Sequence, residues 1–110
     1  MSIKEKLEKI LGDFLERNKN YAVELYISNA PTNSQIGQMF ITIDRTVKTD
    51  DDKFIVEWDT KHDIKVNKLS FSYSEVLSCY EEAEEYNQQI VHVLLKNSME
   101  FKFECCGVRI

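Results

Sequence analysis

Residues 88–105 constrain the fold more than any other stretch. In Gln88-Gln89-Ile90-Val91-His92-Val93-Leu94-Leu95 apolar residues fill both alternating faces, the pattern of a strand covered on both sides or lying inside a sheet. Glu100-Phe101-Lys102-Phe103-Glu104-Cys105 alternates polar with apolar residues, as a half-buried antiparallel strand does. Between them, Lys96-Asn97-Ser98-Met99 supplies turn chemistry, so the two runs read as a hairpin. With Asn97 and Ser98 as the two loop residues, Leu94 faces Phe101, His92 faces Phe103 and Ile90 faces Cys105, all on the core side. A one-residue slip would change those pairings, that of His92 included.

The rest of the chain supplies partners for this hairpin. Ser2 and Glu5 have capping-box spacing, and Ile3, Leu7, Ile10, Leu11, Phe14 and Leu15 follow at helical intervals, which predicts an amphipathic helix over residues 2–17. Gly12 weakens that helix and suggests close packing against a neighbour. Three alternating runs follow: Tyr21 to Ser28, Gln38 to Val47 with Met39, Ile41 and Ile43 in phase, and Lys53 to Thr60 with Phe54, Val56 and Trp58 on one side. They predict three strands in meander order, with Trp58 as a core anchor ahead of the alternative, an interface anchor. Turn-forming residues fill Asn29 to Ser34, and Asp50-Asp51-Asp52 makes an acidic turn. Beyond His62, Ile64 and Val66 suit a short edge strand, Asn67-Lys68 a turn, Leu69, Phe71 and Tyr73 a fresh alternation, and Ser74-Glu75-Val76 a tight 3₁₀-like turn. Leu77 to Glu85 suits a strand running into a loop; the alternative is a helix capped by Ser74 and reaching Tyr86. The fold class expected is α+β, one domain over residues 1–110, with the N-terminal helix on an antiparallel sheet of about five to seven strands.

Charge and composition narrow the function. The 110 residues are 43% hydrophobic and 30% charged, which suits one folded domain. A formal net charge of -5 speaks against direct binding of nucleic acid or an anionic membrane, which calls for clustered Lys and Arg. No apolar run reaches the length of a membrane span, and the charged N-terminus is unlike a signal peptide, so the expected location is cytoplasmic. Three cysteines, two of them adjacent at Cys105 and Cys106, read as free thiols. His62 and His92 lie thirty residues apart in the sequence, with no carboxylate or Cys at metal-ligand spacing. No nucleophile elbow, Gly-rich phosphate loop or zinc-protease motif is present. The expectation is a non-enzyme without metal or cofactor.

The most concentrated charge then becomes the candidate site. Glu81, Glu82, Glu84 and Glu85 lie between Tyr80 and Tyr86. Extended at about 3.3 Å per residue the run carries roughly one charge per 4 Å, close to the ~3.4 Å spacing along one strand of duplex DNA. Such a surface is either a solvated, solubilising face or one that suits a basic protein groove, with Tyr80 and Tyr86 as aromatic anchors and Asp50, Asp51 and Asp52 in support if the two acidic turns share one edge. In size, acidity, composition rich in Lys, Asn, Glu and Ile, and helix-on-sheet plan, the chain resembles phage and mobile-element inhibitors of the anti-CRISPR kind. The resemblance implies a protein that binds a host nucleic-acid enzyme and blocks its channel with acidic residues. Two other classes fit the same residues: a protein-interaction domain gripping another basic partner, and a small-ligand sensor with a pocket near His92 and Cys105.

Overall fold

A computed structural model describes residues 1–42, 44–59, 66–82 and 89–105. The N-terminal helix starts where the capping spacing places it, with the Glu5 amide donating to Ser2 Oγ at 3.2 Å. It runs through α-helical turns at Ile3–Lys6 and Asp13–Arg17 around a wider π-helical stretch, Leu7–Gly12. The stripe does what its spacing requires: Leu7, Leu11, Phe14 and Leu15 are buried, with Ile3 and Ile10 packed at the margin. At Gly12 the neighbour is the Phe54 ring, 3.8 Å from where a Cβ would sit, an ordinary contact distance.

Eight strands follow among the described residues. β1 (Val23–Asn29), β2 (Ser34–Ile41), β6 (Val76–Glu82), β7 (Gln89–Leu95) and β8 (Met99–Cys105) form a five-stranded sheet in the order β2-β1-β8-β7-β6. β3 (Arg45–Thr49), β4 (Lys53–Asp59) and β5 (Val66–Ser72) form a three-stranded meander. All pairings are antiparallel. The class is α+β, with the helix and the inner faces of both sheets sharing one core: Val23, Leu25, Val91, Val93 and Phe103 from one sheet, Phe54, Val56, Trp58 and Phe71 from the other. Trp58 is a core residue, as expected. Phe71 meets Phe101 and Phe103 edge-on, at ring-centroid distances of 5.1 and 6.2 Å, and so links the sheets.

Three readings of the sequence are corrected. The hairpin register is shifted by one: Leu94 pairs with Glu100, Val93 with Phe101, His92 with Lys102, Val91 with Phe103 and Ile90 with Glu104. The cause is a three-residue loop, because Ser98 adopts φ 72° and its amide donates to the Leu95 carbonyl at 3.1 Å. Phe101 and Phe103 stay buried, whereas Leu94, Ile90 and His92 turn to the opposite face. Second, the run from Gln38 to Val47 is not one strand. β2 begins earlier, at Ser34, and ends at Ile41, and β3 opens the second sheet at Arg45. Third, Asn67 and Lys68 lie inside β5 rather than in a turn, while the 3₁₀ turn occupies Tyr73–Glu75. The strand reading of Leu77 to Glu82 holds. Ile43, His62, Ile64, Cys106 and residues 83–88 lie outside the described residues.

The passage between sheets is tied by Arg45. Its guanidinium donates to four backbone carbonyls: Asn18 at 2.7 Å, Tyr21 at 2.8 Å, Leu15 at 2.9 Å and Thr42 at 3.2 Å. These carbonyls belong to the helix C-terminus, the approach to β1 and the end of β2, where a cation also complements the helix dipole. Burial lowers the Arg45 pKa, opposed by Cys105 and Glu16.

Two stability predictions follow from this packing. Gly12→Ala should raise stability by about 1 kcal/mol, since the helix gains propensity and the methyl meets Phe54 without a clash. Phe103→Ala should cost about 3–5 kcal/mol, because the ring is fully buried between the sheets. Urea unfolding monitored by circular dichroism reads both.

Candidate functional site

A strand sends alternate side chains to opposite faces. That rule divides the acidic run. Glu81 lies on the helix side of β6, where its Oε1 accepts from Arg17 Nη2 at 2.9 Å. Arg17 also donates to Gln89 Oε1, which accepts from Asn18 Nδ2 as well, so Glu81 belongs to a tie between the helix end and β6 and β7. Glu82 points the other way, to His92. Glu84, Glu85 and Tyr86 lie outside the described residues.

The outer face of the five-stranded sheet has an ordered plan. Cross-strand partners place Tyr80, His92, Lys102, Tyr26 and Gln38 in one row across all five strands. The next row reads Glu82, Ile90, Glu104, Glu24 and Phe40. On the other side of the first row, Leu94 pairs with both Ser78 and Glu100, and Glu100 with Ser28. Four carboxylates, Glu24, Glu82, Glu100 and Glu104, thus share this face with Lys102 and His92.

His92 organises the middle of the face and is 9% exposed. The Tyr80 ring stacks on its imidazole at 4.7 Å and 14°. Nε2 lies 2.7 Å from Glu82 Oε2 and Nδ1 lies 2.5 Å from Glu100 Oε1. A neutral imidazole has one N–H and can serve one of these carboxylates; the imidazolium serves both. Desolvation, then the carboxylates of Glu100 and Glu82, raise the Tyr80 pKa above its usual value. Lys102 Nζ sits 4.8 Å from the Tyr26 ring centre, within cation–π range. Beside this row opens a basin of about 450 Å³ lined by Tyr26, Ser28, Asn33, Gln35, His92, Glu100, Lys102 and Glu104. Cys105, grouped with His92 in the sequence reading, is instead buried on the core side.

The second acidic turn is built differently. Asp50 Oδ1 accepts from the amides of Asp52 and Lys53, both at 2.7 Å, so this carboxylate closes the β3–β4 turn. Asp51 lies 3.6 Å from Lys4 Nζ. The Asp52 carbonyl accepts from the Tyr73 amide, just before β6 begins, whereas Glu82 ends that strand. At about 3.3 Å per residue the two loci are on the order of 20 Å apart.

Cys79 is buried, and desolvation pushes its thiol up to about 12, which keeps it protonated and unreactive. Among the described residues no group of three or more His, Cys, Asp or Glu could hold a metal, and no helix is long and apolar enough to cross a membrane. No family model, curated protein or solved structure matches the chain.

Sequence reasoning missed Glu24, Glu100, Glu104, Lys102 and Phe40 as one surface. The signal was the alternation itself: if Phe101, Phe103 and Cys105 face the core, Glu100, Lys102 and Glu104 must share the other side.

The Asp50 turn gives a pH prediction. Its two amide hydrogen bonds are the leading causes that lower the carboxyl pKa below 3.8. A depressed folded-state pKa contributes stability above the unfolded value and loses it as pH falls through the folded one. An NMR titration of the side chain should show a midpoint below 3.8, and the stability deficit of Asp50→Asn should shrink on acidification below that range.

Proposed function

We propose that the chain is a non-catalytic protein-binding module that presents the outer face of its five-stranded sheet to a basic partner surface, the nucleic-acid channel of a processing enzyme. The observation that carries this reading is the carboxylate row. Glu24 and Glu104 are direct cross-strand partners on adjacent strands, and like charges directly opposite each other are destabilising. A basic partner relieves that repulsion, so a pairing unfavourable to the free fold suits a cationic groove. Neighbouring strands lie about 4.8 Å apart, which sets Glu24, Glu104 and Glu82 at intervals of roughly 5 and 10 Å. That is sparser than a DNA strand's one charge per ~3.4 Å, yet it covers a surface rather than a line.

Tyr80 and Phe40, exposed by 48% and 62%, stand at the two margins of the face and supply the aromatic contact that acidic residues lack. Both nitrogens of His92 are engaged by carboxylates, so its role here is to hold Glu82 and Glu100 in place. The general resemblance to phage and mobile-element inhibitors points to a host defence enzyme as the target. The basin beside Lys102 supports a second reading, a sensor of a small polar ligand.

The test is a comparison of pull-downs from host lysate. The wild-type chain should retain a nucleic-acid-processing protein at low salt and release it on addition of duplex DNA. Replacing Glu24, Glu82 and Glu104 with Gln should abolish retention with the circular dichroism spectrum unchanged, because Glu82 is exposed, Glu24 and Glu104 are only half-buried, and the isosteric amide keeps hydrogen-bonding capacity while removing the charge. Equal retention by the triple variant would exclude the acidic face as the binding surface. Retention that duplex DNA does not reverse would leave protein binding and remove the channel. A metabolite that raises the melting temperature in place of any retained protein would favour the sensor.

A further inference from the structure

Among the described residues the two sheets end in four edge strands, which differ in the charges and bulges they carry. β3 carries Lys48, β5 carries Lys68, and β6 carries Glu81 and Glu82 together with a bulge between Val76 and Ser78. Charges and bulges are the devices that stop an edge strand from recruiting another strand. β2 has no charged residue from Ser34 to Ile41. Among the described residues its protection is the bulge that shifts register opposite Ile27 and Ser28, which leaves Gly37–Ile41 as a regular edge. Ile36, Met39 and Phe40 on this strand are exposed by 62%, 40% and 62%. Alternation sets Phe40 on the outer face and Met39 on the core side.

An occupant of this edge must therefore be an uncharged strand that brings apolar side chains to both faces of the sheet. β2 itself answers that description. We propose that two copies of this chain pair antiparallel through the Gly37–Ile41 edges of β2, joining their five-stranded sheets into one of ten strands. A two-fold axis makes such a contact self-complementary. Charge favours the same arrangement: the chain carries a net charge of -5 and repels its copy across its acidic surfaces, whereas this edge brings none together. The axis runs normal to the sheet, so both outer faces lie on one side of the dimer. One strand and its flanking side chains make a contact smaller than the ~1,600 Å² of a standard interface. The association is accordingly concentration-dependent.

Sedimentation equilibrium of the full chain should show the average mass rising with concentration from 12.9 kDa toward twice that value. The Ile36→Lys, Phe40→Lys double variant should stay at the monomer mass at every concentration with its melting temperature nearly unchanged, since both side chains are largely solvent-exposed. In the wild type, hydrogen exchange of amides within Gly37–Ile41 should slow ~10-fold or more from dilute to concentrated solution. A wild-type mass that never leaves the monomer value overturns the proposal. So does a double variant that dimerises like the wild type. If the variant fails to fold, wild-type exchange decides: protection that grows with concentration in Gly37–Ile41 supports the pairing, and protection indifferent to concentration overturns it. The pairing does not depend on the acidic face binding a partner, and a strictly monomeric chain would leave that reading intact.

Discussion

The two-residue period of β8 is the constraint from which both the core and the candidate site follow. β8 is the middle strand of the five-stranded sheet. Phe101, Phe103 and Cys105 go to the buried side, where Phe71 of the other sheet meets both rings edge-on. Glu100, Lys102 and Glu104 necessarily go to the other side, where they line the basin beside His92. A slip of one residue would exchange buried phenylalanines for carboxylates. The penalty for burying unpaired charge is large enough that the aromatic core dictates the chemistry of the outer face.

The same constraint explains what could be read from the sequence. The helix over residues 2–17, the alternation of Val23 and Leu25, the burial of Phe54, Val56 and Trp58, and the strand character of Leu77 to Glu82 all rest on local periodicity, and local periodicity is visible in a sequence. Hairpin register was not visible. It turns on Ser98 entering the left-handed region, which made a three-residue loop where Asn97-Ser98 suggested two. The change from one sheet to the other between Ile41 and Arg45 was also hidden, because the β-propensity of residues 38–47 continues through it. What stops the strand is tertiary: Arg45 gathers carbonyls from Leu15, Asn18 and Tyr21, more than twenty residues earlier.

Glu81 and Glu82 fall on β6, where a charge density read along the chain is divided between two faces. Four glutamates in five residues look like a single anionic surface, yet Glu81 and Glu82 already point to opposite sides and meet different partners, Arg17 and His92. The anionic surface that does form draws on β1, β6 and β8, whose glutamates are far apart in sequence. Asp50, which looked like part of a charged patch, closes a turn with its own backbone. Charge clusters on β structure are thus assembled by pairing rather than by proximity along the chain.

The account depends on His92 lying on the outer face opposite Lys102, with Val91 opposite Phe103 in the core. Cross-strand nuclear Overhauser contacts in the β7–β8 hairpin test that register directly. Backbone contacts pairing Val91 with Phe103 and His92 with Lys102, and side-chain contacts between the His92 and Tyr80 rings, are the predicted result. Contacts pairing His92 with Phe103 and Leu94 with Phe101 would return His92 to the core, separate it from Glu82 and Glu100, and contradict this arrangement.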